Sequence, residues 1–198
     1  FSIISFFLWP PFPESIVDIM VSDVFSGIMS LDVLYLIAVL FTLPLVVCLF
    51  VLFRESHYSM ALFALVIGLI GIVLVVFCRP ILEMVTLCRE YSRAANEFEK
   101  SLFLSSINNT MAYFNGTSYY LHIVFGNISF VMYSFIMLGS KIFNKSTAIL
   151  GLVTNIISFG ILIPVIGPFF GFLFLLGFIP WLVLISLRLL RILRDKAA

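Results

Sequence analysis

From Ser59 to Cys78 the chain reads SMALFALVIGLIGIVLVVFC, 20 residues without one charged side chain. A helix of about 20 apolar residues crosses a hydrocarbon layer about 30 Å thick, so this stretch has the length and chemistry of a membrane span. Backbone groups in hydrocarbon must be satisfied internally, which leaves only helices and closed barrels. The run has no period-two alternation, so it reads as a helix.

Composition extends the argument to the whole chain. Of 198 residues, 63% are hydrophobic and 11% charged, against about half and about a quarter in soluble domains. Lipid contact accounts for such a balance, as it does for 23 phenylalanines. The expected fold is all-α: a single integral membrane domain, a polytopic transmembrane helix bundle of six spans with one amphipathic outer helix. The spans fall at about 1–8, 24–53, 59–79, 108–138, 147–163 and 169–193. The first is expected to be truncated, because FSIISFFLWPPFP begins inside an apolar run and Trp9 followed by Pro10 and Pro11 suits a helix ending at an interface. Pro44 is expected to kink the second span, since an interior proline removes a helix hydrogen bond.

Residues 81–105 differ from the spans. Ile81, Val85, Cys88, Tyr91, Ala95, Phe98 and Leu102 recur at spacings of three and four, with Glu83, Arg89, Glu90, Arg93, Glu97 and Lys100 mostly elsewhere. This predicts the amphipathic helix, lying on the bundle or at the interface, with an Arg93–Glu97 pair at helical spacing.

Orientation follows from Lys and Arg near the span ends. With the amino end inside, the inner segments hold Arg54, Lys141, Lys145, Arg188, Arg191, Arg194 and Lys196. The outer cations Arg79, Arg89, Arg93 and Lys100 have glutamates nearby. Both termini are therefore expected in the cytoplasm. Arg188, Arg191 and Arg194 recur every three residues, suited to contact with an anionic inner leaflet, and a regulatory partner there is a further option.

Polar residues within the spans carry whatever chemistry there is. Asn108, Asn115, Tyr119, His122, Gly126, Ser129 and Tyr133 form one narrow stripe if residues 108–138 are a continuous helix. Two readings stay open. In one the stripe is a packing seam, meeting Ala64, Gly68 and Gly71, Gly151, or Gly167 and Gly171. In the other, an outward-facing polar pocket gathers Asp32, Arg79, Glu83, Asn115, Tyr119 and His122 as a ligand site. Asp32 is costly in hydrocarbon unless partnered, and its candidate partners by depth are Arg79 and His122; alternatively it sits at headgroup level. Asn115–Gly116 is also a strong turn pair, and on that reading the helix starts near Thr117.

Other chemistry finds little footing. Cys48, Cys78 and Cys88 have neither disulfide-framework nor zinc spacing. His57 and His122 are assigned to opposite membrane sides, which disfavours a metal or bis-histidine haem. Phosphate loops and nucleophile elbows have no counterpart in the sequence. No basic run outside the carboxyl end offers a footprint for nucleic acid. Asn108, Asn115, Asn127 and Asn144 each begin an Asn-x-Ser/Thr triplet, read as chance. Thus no catalytic residue, metal or cofactor is expected, and the partners are the lipid bilayer and either another membrane protein or a second copy.

SLDVLYLIAVLFTLPLVVCLFVLF, with an early Asp and a mid-helix Leu-Pro, resembles a prokaryotic multi-span membrane family of unknown function, domain of unknown function 4386. FNGT, KIFNKSTAILGLV and GFIPWLVLISLRLLR look like its later helices. The resemblance implies a bacterial or archaeal membrane protein and supplies no catalytic residues. The leading expectation is a non-enzymatic structural, sensory or accessory bundle. Its rival is a small transporter or binder of a small or lipid-like ligand. A membrane enzyme ranks last.

Overall fold

The computed structural model describes residues 16–114 and 116–197. Among them all regular structure is helical: α1 (Ile16–Ser22), α2 (Val24–Ser30), α3 (Val33–Leu40), α4 (Thr42–Phe53), α5 (Tyr58–Phe77), α6 (Ile81–Arg93), α7 (Glu97–Phe114), α8 (Thr117–Gly139), α9 (Lys145–Ile157), a 3-10 turn (Ser158–Leu162) and α10 (Gly167–Ala197). Among the described residues five stretches are long and apolar enough to cross a membrane: Val33–Phe53, Tyr58–Arg93, Glu97–Gly139, Lys145–Leu162 and Gly167–Ile192. The expected first span and Asn115 lie outside the described residues.

Several breaks correct the expected continuous helices. Residues 24–53 are interrupted at Leu31–Asp32 and at Phe41, the second break falling three residues before Pro44. Pro44 falls in the first turn of α4, where a missing N–H costs nothing because that group has no intrahelical partner. Residues 81–105 form two helices, not one, separated at 94–96. There Asn96 Oδ1 accepts from Glu99 N at 2.9 Å, and Glu99 Oε2 accepts from Ala95 N at 2.9 Å, a reciprocal cap that starts α7. The break removes the expected Arg93–Glu97 pair; Arg93 lies 3.7 Å from Glu90 and Lys100 2.8 Å from Glu97. It also ends the apolar stripe, leaving Phe98 and Leu102 exposed. Likewise 108–138 is not continuous: α7 ends at Phe114 and α8 begins at Thr117. The span expected at 147–163 is α9 followed by the 3-10 turn.

The chain divides into two compact units, Phe1–Leu43 with Ile72–His122, and Pro44–Gly71 with Ile123–Ala198. In unit 1 one cluster joins Ile16, Val17 and Met20 of α1 with Leu31, Met84 and Cys88 of α6, and Ile107 and Phe114 of α7. A second joins Val39, Ile72, Val75 and Cys78, with Tyr35, Leu36 and Tyr119 against it.

The described residues of unit 2 share one core. Val46, Leu49 and Phe53 of α4 meet Ala61 and Ala64 of α5, Phe130, Tyr133, Ile136 and Met137 of α8, and Trp181 and Ile185 of α10. Small residues let these helices approach. A Cβ on Gly68 would come 2.7 Å from Ser129 Oγ, and one on Gly151 would collide with Ser134 and Trp181. Of the glycines of α10, Gly177 lies against Thr154 of α9, a Cβ on Gly167 would come 2.5 Å from the Ile161 carbonyl of the 3-10 turn, and Gly171 has only a loose contact with Ile161. Large side chains such as Phe41, Val51, Phe63, Val73, Leu176 and Val183 are exposed. Faces of that kind need a lipid solvent or a partner.

Candidate functional site

Pro80 creates the site in unit 1. A residue before proline is pushed out of the α region, so α5 ends at Phe77 and Arg79 leaves the helix axis. Its side chain turns inward and is only 1% exposed. A buried guanidinium needs its charge and its donors answered. Nη2 meets Asp32 Oδ2 at 3.2 Å. Nη1 donates to the carbonyl of Phe114 at 2.7 Å and approaches the Cys78 carbonyl at 3.3 Å and its Sγ at 3.4 Å. Three rings surround the cation, with Tyr119, Phe114 and Tyr35 centroids 4.8, 5.3 and 5.6 Å from Cζ. Such aromatic faces attract a cation most strongly when it is desolvated.

Asp32 is positioned by an uncommon backbone. Its φ of 63° and ψ of 28° are left-handed, a region that Asp visits more readily than most residues. Standing before α3, it does not use its carboxylate to cap the helix, which leaves the group for Arg79. Asp23 provides the contrast, since its carboxylate accepts from Phe25 N and Ser26 N and caps α2. Beside the ion pair, Tyr35 Oη and His122 Nε2 lie 2.8 Å apart, with the two rings edge to face. His122 is itself buried.

Of the residues grouped by depth, Asp32, Arg79, Tyr119 and His122 come together here. His122 reaches the group through Tyr35. Glu83 stands exposed in the first turn of α6, without an ion pair among the described residues, and Asn115 lies outside them. Arg188, Arg191 and Arg194 are exposed on α10, and Arg188 Nε donates to the Ile142 carbonyl at 2.6 Å. Tyr35, Phe114 and the Cys78 carbonyl belong to the site without being among the residues expected from the sequence. Only Tyr35 had a usable signal: it lies three residues after Asp32, on the same face.

The polar stripe divides. Ser129 Oγ donates to the Ala64 carbonyl at 2.7 Å, and Tyr133 Oη to those of Val46 at 3.1 Å and Ala61 at 3.3 Å, all within unit 2. Asn108 is exposed, and nothing approaches the face of Gly126 within 4 Å. Among the described residues no group of three His, Cys, Asp or Glu side chains could hold a metal ion. No family model matches the chain, and neither curated proteins nor solved structures yield a significant match.

The arrangement can hold a cation in a weakly polar place and tie four segments to it. These are the α2–α3 junction, the α5–α6 junction, the end of α7 and the start of α8.

Proposed function

We propose that the chain is a non-enzymatic integral membrane protein of six spans with both termini in the cytoplasm, serving as a structural, sensory or accessory bundle. On this reading it shares the kind of architecture found in the prokaryotic multi-span family that its sequence resembles. The observation that carries the reading is the occupant of the aromatic cage. Three rings, a carboxylate and a backbone carbonyl converge on a cation, and that cation is the protein's own Arg79. A cage so filled acts as a clamp on the fold.

The rival reading, a binder of a small ligand, draws on one observation: the Asp32 side chain is 21% exposed, so the carboxylate keeps some access. Small organic cations separate the two. The purified full chain, titrated with methylguanidinium, is expected to show no saturable stabilisation, whereas Arg79→Ala is expected to regain stability as the ion enters the emptied cage. Saturable binding by the unsubstituted protein, abolished by Asp32→Asn, would replace the clamp with a ligand site.

A further inference from the structure

The near-neutral chain conceals a division of charge. Unit 1 carries four Lys and Arg against eight Asp and Glu; unit 2 carries seven against two. Their use differs as well. In unit 1 Arg79, Arg93 and Lys100 each meet a carboxylate. In unit 2 Arg54, Lys141, Lys145, Arg188, Arg191 and Arg194 are all exposed, and none has an ion-pair partner among the described residues.

These cations are gathered by the fold of unit 2. The Phe53 ring, just before Arg54, packs on Phe143 with centroids 6.0 Å apart, bringing the α4–α5 turn to the α8–α9 loop. That loop carries Lys141 and leads into Lys145 at the start of α9. Arg188 joins α10 to it through the bond from Nε to the Ile142 carbonyl. This bond holds the guanidinium at the carbonyl of the residue that follows Lys141 in the chain and leaves the Nη groups for another acceptor. Arg191 and Arg194 follow along α10, with Leu184, Leu187 and Leu190 exposed on the same helix.

We infer that this end of unit 2 binds the headgroups of anionic phospholipids, with the arginines and lysines set on the phosphates. Resting on the membrane reading above, the inference extends the anionic-leaflet contact expected of Arg188, Arg191 and Arg194 to a headgroup site shared with Arg54, Lys141 and Lys145. Charge complementarity and continuity with exposed leucines select lipid over an acidic protein: the same helix offers cations to headgroups and apolar side chains to acyl chains. Arginine also supplies a planar donor fork matched to phosphate.

The test uses the full chain in neutral detergent, titrated with short-chain phosphatidylglycerol, phosphatidylcholine or inorganic phosphate while thermal unfolding is followed. Phosphatidylglycerol alone is expected to raise the unfolding temperature. Lys141→Gln/Lys145→Gln/Arg191→Gln alters three exposed side chains, so its lipid-free unfolding temperature should match the parent. Its half-effective phosphatidylglycerol concentration should rise about fivefold per cation removed. Equal stabilisation by phosphatidylcholine or by inorganic phosphate overturns the inference, as does an unchanged response of the triple variant; an acidic protein would then be the better occupant. The membrane reading is tested separately by labelling Ser146→Cys, against the parent's own cysteines, with an impermeant maleimide. Labelling from outside intact cells refutes the cytoplasmic assignment, even where the lipid preference stands.

Discussion

The two units bury polarity in opposite ways. Unit 1 encloses a charge, Arg79, answered by a carboxylate, a carbonyl at 2.7 Å and three rings. Among its described residues unit 2 encloses only neutral polar groups: Ser129 and Tyr133 reach backbone carbonyls, Asn155 Nδ2 donates to the Gly151 carbonyl at 2.7 Å, and Ser158 Oγ to that of Asn155 at 2.6 Å. A buried charge makes one residue depend on several elements at once. Neutral hydroxyls and small residues spread the same task over many weak contacts, each sensitive to volume more than to charge.

The largest expected effect therefore comes from unpairing the charge. Asp32→Asn leaves Arg79 buried without its carboxylate and is expected to cost about 3 kcal/mol, the low end for a broken buried pair because Asp32 is partly exposed. Asp32→Asn/Arg79→Met, which removes both charges, is expected to return to within about 1 kcal/mol of the parent. Thermal unfolding of the two variants decides the matter. A single variant as stable as the parent, or a double variant no better than the single, would erase the contrast between the units.

Much of this was legible wherever a residue was out of place in its surroundings. An Asp and an Arg beside apolar runs had to find partners, and shared depth reduced the choices for Asp32 to Arg79 and His122. Depth is one coordinate, however, and rotation about the helix is another. Glu83 has the depth yet faces outward, whereas Tyr35 has the face and was lost among seven tyrosines. Phe114 contributes a backbone carbonyl, which no side-chain pattern reveals. The helix breaks divide similarly. Asn96 with Glu99 is a capping signature visible in the sequence, and so is the Asn115–Gly116 turn pair. The left-handed turn at Asp32 carries neither Gly nor Pro to announce it.

In unit 2 the matching experiment changes volume. Gly151→Ala pushes a methyl group into the fully buried Trp181 and Ser134 and is expected to cost about 2 kcal/mol through overpacking. Gly126→Ala provides the control on α8, where nothing lies within 4 Å; the helix preference for alanine should leave it neutral or slightly stabilised. Equal unfolding temperatures for the two variants would show that close approach does not hold this unit together. Tyr133→Phe is a finer probe. It removes the hydroxyl bonds to the Val46 and Ala61 carbonyls while keeping the ring, and about 1 kcal/mol should be lost.

The smallest effect is expected at an exposed charge of unit 1, and it separates a surface carboxylate from the buried one. Asp23 caps α2, and its hydrogen bonds with the Ser26 side chain first and the Phe25 N–H next hold its carboxyl below the usual range. A carboxyl lowered by folding stabilises the fold fully above its unfolded value, about 3.9, and loses that contribution as pH falls through the folded value. Stability from this cap should thus be flat above about pH 5 and decline only in stronger acid. Asp23→Asn keeps a capping oxygen but no titrating group, so its unfolding temperature should follow the parent at neutral pH and fall less steeply below about pH 4. Parallel acid profiles for the two proteins would mean that the cap makes no contribution to the pH dependence of unit 1.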